Sequence, residues 1–90
     1  MTDTWLYPPD LRDALAGFGL APRTDTPPAL VRDAVSDLYR YEIRQLRDRR
    51  RRGEVAPDDY VPAVIALRKK YWVLTLPASG WERICRPGAR

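Results

Sequence analysis

Seven arginines lie between Arg40 and Arg52 in RYEIRQLRDRRRR, with Tyr39 and Tyr41 at the start of the stretch. Guanidinium groups hold phosphate or carboxylate oxygens through paired N–H donors, and tyrosine rings offer faces for stacking on bases. Residues 40–52 carry seven basic and two acidic side chains, a net of +5, and Arg68, Lys69 and Lys70 add +3. The whole chain is only +4, so the remainder is −4. Such asymmetry sets up a local positive field that draws in an acidic partner. Fourteen of the 16 basic residues are arginine and asparagine is absent, the mark of a GC-rich coding background. That background accounts for the abundance of arginine but not for its clustering.

Other chemistries lack their residues. Histidine is absent and Cys85 is the lone cysteine, so histidine-assisted nucleophiles, imidazole metal ligation and a zinc site have nothing to work with. The cluster AGFGLAP lacks the third glycine, the following lysine and the preceding strand of a phosphate-binding loop, and a helix stop accounts for it. Asp58-Asp59 brings two carboxylates but no obvious further oxygens for a divalent ion; acids at a helix start are the simpler reading. Cys85 reads as a small buried apolar residue, although Arg83 and Arg86 would favour its thiolate if it were exposed. A small basic ribonuclease working through Arg, Lys and Tyr needs a β-sheet, and the sequence offers one strand-like segment. No enzyme, catalytic residue, cofactor or metal is expected.

Helices have to hold these side chains. Ninety residues with 44% apolar content, three tryptophans and five tyrosines suffice for one modest core. The expected fold is all-α: a single helical domain over 1–90, built as a small bundle of three main helices at about 9–17, 27–52 and 60–71. A short C-terminal helix at about 80–85 and an extended segment at about 72–77 complete it. The first helix presents Leu11, Ala14, Leu15 and Phe18 and stops at Gly17 or Gly19. The second starts with Thr26 as N-cap and Pro27 in its first turn, and it ends at Gly53, a length of roughly 39 Å. At about 100° per residue, Val31, Ala34, Val35, Leu38, Tyr41 and Leu46 share one face; Asp33, Arg40, Arg44, Arg47 and Arg51 share the opposite one. Asp59 as N-cap of the third helix puts Pro62 where its missing N–H costs nothing, whereas a start at Pro57 leaves it inside the helix. Ser79 and Glu82 form a capping box for the last helix. The predicted core is Trp5, Leu11, Leu15, Phe18, Val31, Val35, Leu38, Leu46, Ile65, Trp72 and Trp81.

The turn GEVAPDD should fold helices two and three into an antiparallel hairpin, bringing Lys69 and Lys70 level with Arg40 and Arg44 so that the two basic segments merge. Competing with a binding role, Asp37 and Asp48 lie three and four residues from Arg40 and Arg44, as on a solvated face. Glu42 falls near the centre of the apolar face, where an unpaired carboxylate is costly; Arg49, Arg68 or a docking protein is its expected partner.

The segment DLRDALAGFGLAPRTDTPPALVRDAV has Leu11 and Leu15 on a first helix, then Gly19-Leu20, then Leu30-Val31 opening a second. In outline it is similar to the SAP-type helix-extended-helix module, and the resemblance implies DNA binding. It covers about a quarter of the chain. Its loop lacks the module's second glycine and following lysine and is slightly longer, and its second helix is far longer.

Two functions are expected. In the first, Arg40, Arg44, Arg47, Arg51, Lys69 and Lys70 dock on an acidic partner, nucleic-acid phosphates with little sequence choice or an acidic protein surface. In the second, the chain is an accessory subunit, adaptor or homo-oligomer with Tyr41, Glu42, Leu46, Trp72 and Trp81 at the interface, because its long apolar face outruns the third helix. No membrane partner is expected: no apolar run approaches the roughly 18 residues that span a bilayer, and MTDTWLYPPD lacks the order of a secretory signal. Together with the lone cysteine this reads as a cytoplasmic location.

Overall fold

Prolines set the helix starts. The computed structural model describes residues 4–87, in which α1 is Pro9–Gly17, α2 Pro28–Arg51, α3 Pro57–Lys70 and α4 Ala78–Ile84, with a 3-10 turn at Trp72–Thr75. Pro9, Pro28 and Pro57 each stand in a first turn, where the fixed φ suits a helix and the missing N–H had no acceptor. Glycines set two of the stops. Gly19 and Gly53 take left-handed φ values of 78° and 77°, and the following N–H groups reach back to Leu15 and Arg49 at 2.9 Å. Both are Schellman closures, in which only glycine avoids a Cβ penalty.

The all-α class expected from the sequence is the one observed, with no strand among the described residues. Four local expectations are corrected. Helix α2 begins one residue later than expected, and Thr26 instead accepts a hydrogen bond from the Arg23 N–H at 2.9 Å within the preceding turn. Helix α3 begins at Pro57, so Pro62 lies inside it. Segment 72–77 is not extended: with no second strand to pair with, its backbone closes on itself through Leu74 N–H to Tyr71 O, 3.0 Å, and Leu76 N–H to Val73 O, 3.4 Å. The Ser79–Glu82 capping box does not form. Instead the Gly80 and Trp81 N–H groups bond the carbonyl of Pro77, at 2.9 and 3.1 Å.

One apolar cluster gathers α1, the first half of α2, the 3-10 turn and α4. Trp81 is fully buried at its centre and donates its indole N–H to the Val73 carbonyl at 2.9 Å. Leu11, Leu15, Val31 and Val35 surround it, with Trp5 and Phe18 half-buried beside them. Tyr7, Tyr71 and Val73 are further members that periodicity did not identify, and Cys85 is buried with them, as its reading as a small apolar residue expects. Leu38, Ile65 and Trp72, expected in the core, are exposed. Arg32 ties the 3-10 turn to α2 by donating to the carbonyls of Leu76 and Leu74, at 2.8 and 3.2 Å.

Helix α2, roughly 36 Å long, outruns this lobe, and its second half leaves with only α3 alongside. The molecule is accordingly elongated at 53 × 22 × 20 Å, with a radius of gyration of 15.7 Å. A compact chain of this length would have about 12 Å. Helix α3 has no fully buried residue, and Leu46 is the buried residue of α2 within the arm.

Pro62 removes one helical N–H donor and crowds the carbonyl of Asp58 one turn earlier. Because its ring is exposed, Pro62→Ala is expected to stabilise the protein by about 1–3 kcal/mol in urea unfolding followed by circular dichroism.

Candidate functional site

The hairpin arm positions nearly all of the chain's clustered charge. Helix α3 packs antiparallel to the second half of α2, with Tyr60, Ala63, Val64 and Leu67 partly covered along the contact and Leu46 buried opposite them. The far end is held by the Arg50 guanidinium, 4.6 Å above the ring of Tyr60. At the near end, Glu42 takes the Lys70 ammonium at 3.1 and 3.2 Å and accepts the phenolic hydrogen of Tyr71. Tyr71 stacks on Phe18 at 4.6 Å and meets Tyr39 edge-on at 5.2 Å, which links the arm to the lobe.

These contacts decide where the basic residues point. Arg40, Arg44, Arg47 and Arg51 are exposed and fall within an arc of about 60°, roughly 120° round α2 from the side that meets α3. Arg40 approaches Asp37 at 3.7 Å with both side chains largely in water, a pairing of little energetic consequence. Among the described residues, Arg44, Arg47 and Arg51 have no carboxylate within ion-pair distance. Lys70 does not join them, because it is spent on Glu42 on the other side of the hairpin. Lys69 is exposed on the side of α3 turned away from α2. By the helical repeat, Arg68 is the α3 cation on the same broad face as the arginine row. The merged stripe therefore forms from α2 with Arg68, not with the two lysines.

The interface residues separate in the same way. Glu42 is half-buried, and its partners are Lys70 and Tyr71 rather than Arg49 or Arg68. Leu46 is buried inside the hairpin and Trp81 inside the lobe, so neither presents an apolar surface outward. Tyr41 is exposed and accepts a hydrogen bond from Gln45 Nε2 at 2.7 Å. Trp72 keeps 45% of its surface exposed, and Val61 and Ile65, one turn apart on α3, keep 60% and 46%. Sequence reasoning placed both Val61 and Ile65 on the buried side of the third helix, because α3 has too weak an amphipathic pattern to separate its faces.

Among the described residues no three His, Cys, Asp or Glu side chains are grouped to hold a metal ion, and no helix is long and apolar enough to cross a membrane. Cys85 is buried, and burial pushes its thiol up to about 11, away from the nucleophilic thiolate. Burial raises Tyr7 to about 12, with the nearby Cys85 adding to it. Tyr71 is raised by burial first, then by its hydrogen bond to Glu42 and that carboxylate's charge. No protein family, curated protein or solved structure matches the chain.

Two outcomes are expected. Glu42→Leu leaves the buried Tyr71 hydroxyl without its acceptor, and should cost about 1–3 kcal/mol in urea unfolding. Glu42→Leu combined with Tyr71→Phe should cost less than the single change, because the stranded donor is then gone. Cys85, Tyr7 and Tyr71 lose their protons at higher pH folded than unfolded, so their contribution is complete below about pH 9 and is lost as pH rises through about 11 for Cys85 and about 12 for Tyr7. Thermal unfolding should show a steady midpoint at neutral pH and a fall between about pH 9 and 12, shallower at its start in Cys85→Ala.

Proposed function

We propose that this protein is a non-catalytic binding protein that docks the arginine row of α2 on nucleic-acid phosphates with little sequence choice. The observation carrying the reading is that Arg44, Arg47 and Arg51 share one arc of a projecting helix, exposed and, among the described residues, without a carboxylate at ion-pair distance. A row of unneutralised guanidinium groups binds a polyanion by displacing its condensed counterions, and this requires no base contacts. Arg68 extends the row across the hairpin, and Arg40 joins it by exchanging its weak contact with Asp37 for a phosphate. The whole reading is that of a cytoplasmic protein, with which the unpaired Cys85 agrees.

A second reading rests on α3. Val61 and Ile65 on α3, with Trp72 in the 3-10 turn that follows, leave apolar surface uncovered, which suits an adaptor or accessory subunit bound to a protein carrying acidic and apolar groups together.

Fluorescence anisotropy with labelled single- and double-stranded DNA and RNA separates the two. With three or four phosphate contacts, affinity should fall on the order of 50- to 150-fold between 50 and 200 mM salt. The Arg47→Glu, Arg51→Glu double variant should bind at least about ten-fold more weakly at low salt. Absence of binding to every nucleic acid at low salt sinks the first reading and leaves the second.

A further inference from the structure

Helix α2 carries more apolar surface than the lobe and α3 can cover. From Ala34 and Tyr41 round to Leu46 the apolar arc is about 140° wide. The structure buries one edge of it, Val31, Val35 and Leu46, and leaves the other edge open. On that open back edge, Leu30, Leu38 and Tyr41 are exposed and Ala34 is half-exposed. Spacings of four, four and three residues keep these side chains in one row, turned away from α3.

We propose that this back edge of α2 is a twofold interface with a second copy of the chain, the two α2 helices packing antiparallel across Leu38. Three features select a second copy as the occupant. The first is charge. In an antiparallel pair related by a twofold axis, each flank of a helix meets the same flank of its partner in reverse order. Along one flank α2 reads Asp33, Asp37, Arg40, Arg44, acids then bases. Centring the pair on Leu38 brings Asp33 to within roughly 2 Å, along the axis, of Arg44 in the other copy, and Asp37 likewise of Arg40. Within one chain neither Asp33 nor Arg44 has an opposite charge at ion-pair distance among the described residues.

The second feature is size. The same register sets Tyr41 of one copy opposite Ala34 of the other, a large side chain against a small one. The third is shape: beside Ala34 lies an open, mainly apolar groove of about 310 Å³ walled by Leu20, Pro22, Leu30 and Val31, which can receive that ring. Leu38 meets its own copy on the axis.

A consequence follows that rests on the nucleic-acid reading. The twofold keeps both arginine rows on the same side of the dimer, and it places the two Arg47–Arg51 pairs roughly 30–35 Å apart. That is close to one turn of duplex DNA, about 34 Å. In the dimer Arg40 and Arg44 turn from phosphate to the seam, and the phosphate contacts are Arg47 and Arg51 of both copies, four in all, at the C-terminal ends of the two α2 helices.

Sedimentation equilibrium of the full chain tests the interface. A concentration-dependent monomer–dimer equilibrium is expected, with Leu38→Glu raising the dissociation constant at least ten-fold. Asp33→Arg should weaken the dimer, and adding Arg44→Asp to it should restore most of the loss. Since all three positions are exposed or half-exposed, a circular dichroism spectrum equal to that of the parent is expected for each variant. A chain that stays monomeric up to about 100 μM, well above typical weak-complex affinities, overturns the proposal. So does a dimer indifferent to Leu38→Glu and to the charge exchange. The Arg47→Glu, Arg51→Glu variant keeps these outcomes apart from the nucleic-acid reading: it should dimerise normally while losing polyanion binding. A dimer without any polyanion binding removes the functional reading and leaves the interface standing.

Discussion

The Glu42 carboxylate governs how this molecule is put together. It accepts the hydroxyl of Tyr71 and holds the ammonium of Lys70, so the end of α3 is fixed to the middle of α2. Tyr71 in turn is buried against Phe18 and Tyr39, which joins the arm to the lobe through one side chain. A carboxylate so placed cannot be left bare, because partial burial raises the cost of an unsatisfied charge. The chain answers with one cation and one phenol from consecutive positions, and that answer sets the register of α3 along α2.

The register has electrostatic consequences. Spending Lys70 on Glu42 removes it from the outward field, and the same helical phase turns Lys69 away from α2. What projects is then the arginine row of a single helix, strengthened by Arg68. Guanidinium groups suit this role, since they remain charged at any accessible pH and bind oxygen pairs in a fixed planar geometry. The lobe contributes rigidity. Trp81 fills its centre, Arg32 clamps the 3-10 turn, and two glycine-closed helix ends fix where the chain reverses.

The arm is lightly built by comparison. No residue of α3 is fully buried, and the hairpin is held by Leu46, a ring-and-guanidinium contact and the Glu42 cluster. A slender projection of this kind exposes a large surface for its mass. Small domains have little apolar area to bury in any case, and α2 reaches this length only by leaving one edge of its apolar arc uncovered. That edge, flanked by Asp33, Asp37, Arg40 and Arg44, is the one proposed to meet a second copy of the chain.

The sequence alone determined the helical class, the rough extent of α1 and α2, the glycine stops and the clustering of arginines on one arc of α2, because each is a matter of local spacing. Prolines and glycines act on their own backbone, and a period of about 3.6 residues places side chains on a helix without reference to anything else. Residues such as Leu38, Ile65, Trp72 and Trp81 look alike at that level, being apolar residues at helical positions or beside them. Whether each is covered depends on which element lies across from it, and only tertiary packing supplies that. The same holds for Lys70, whose partner is 28 residues away, and for segment 72–77, where the lack of a pairing strand closed the backbone into a turn. The start of α3 was likewise not legible locally, because Pro57 and Pro62 both suit a first turn. The arginine row was written in the sequence; that Arg44, Arg47 and Arg51 stand without a carboxylate partner among the described residues was decided by the fold.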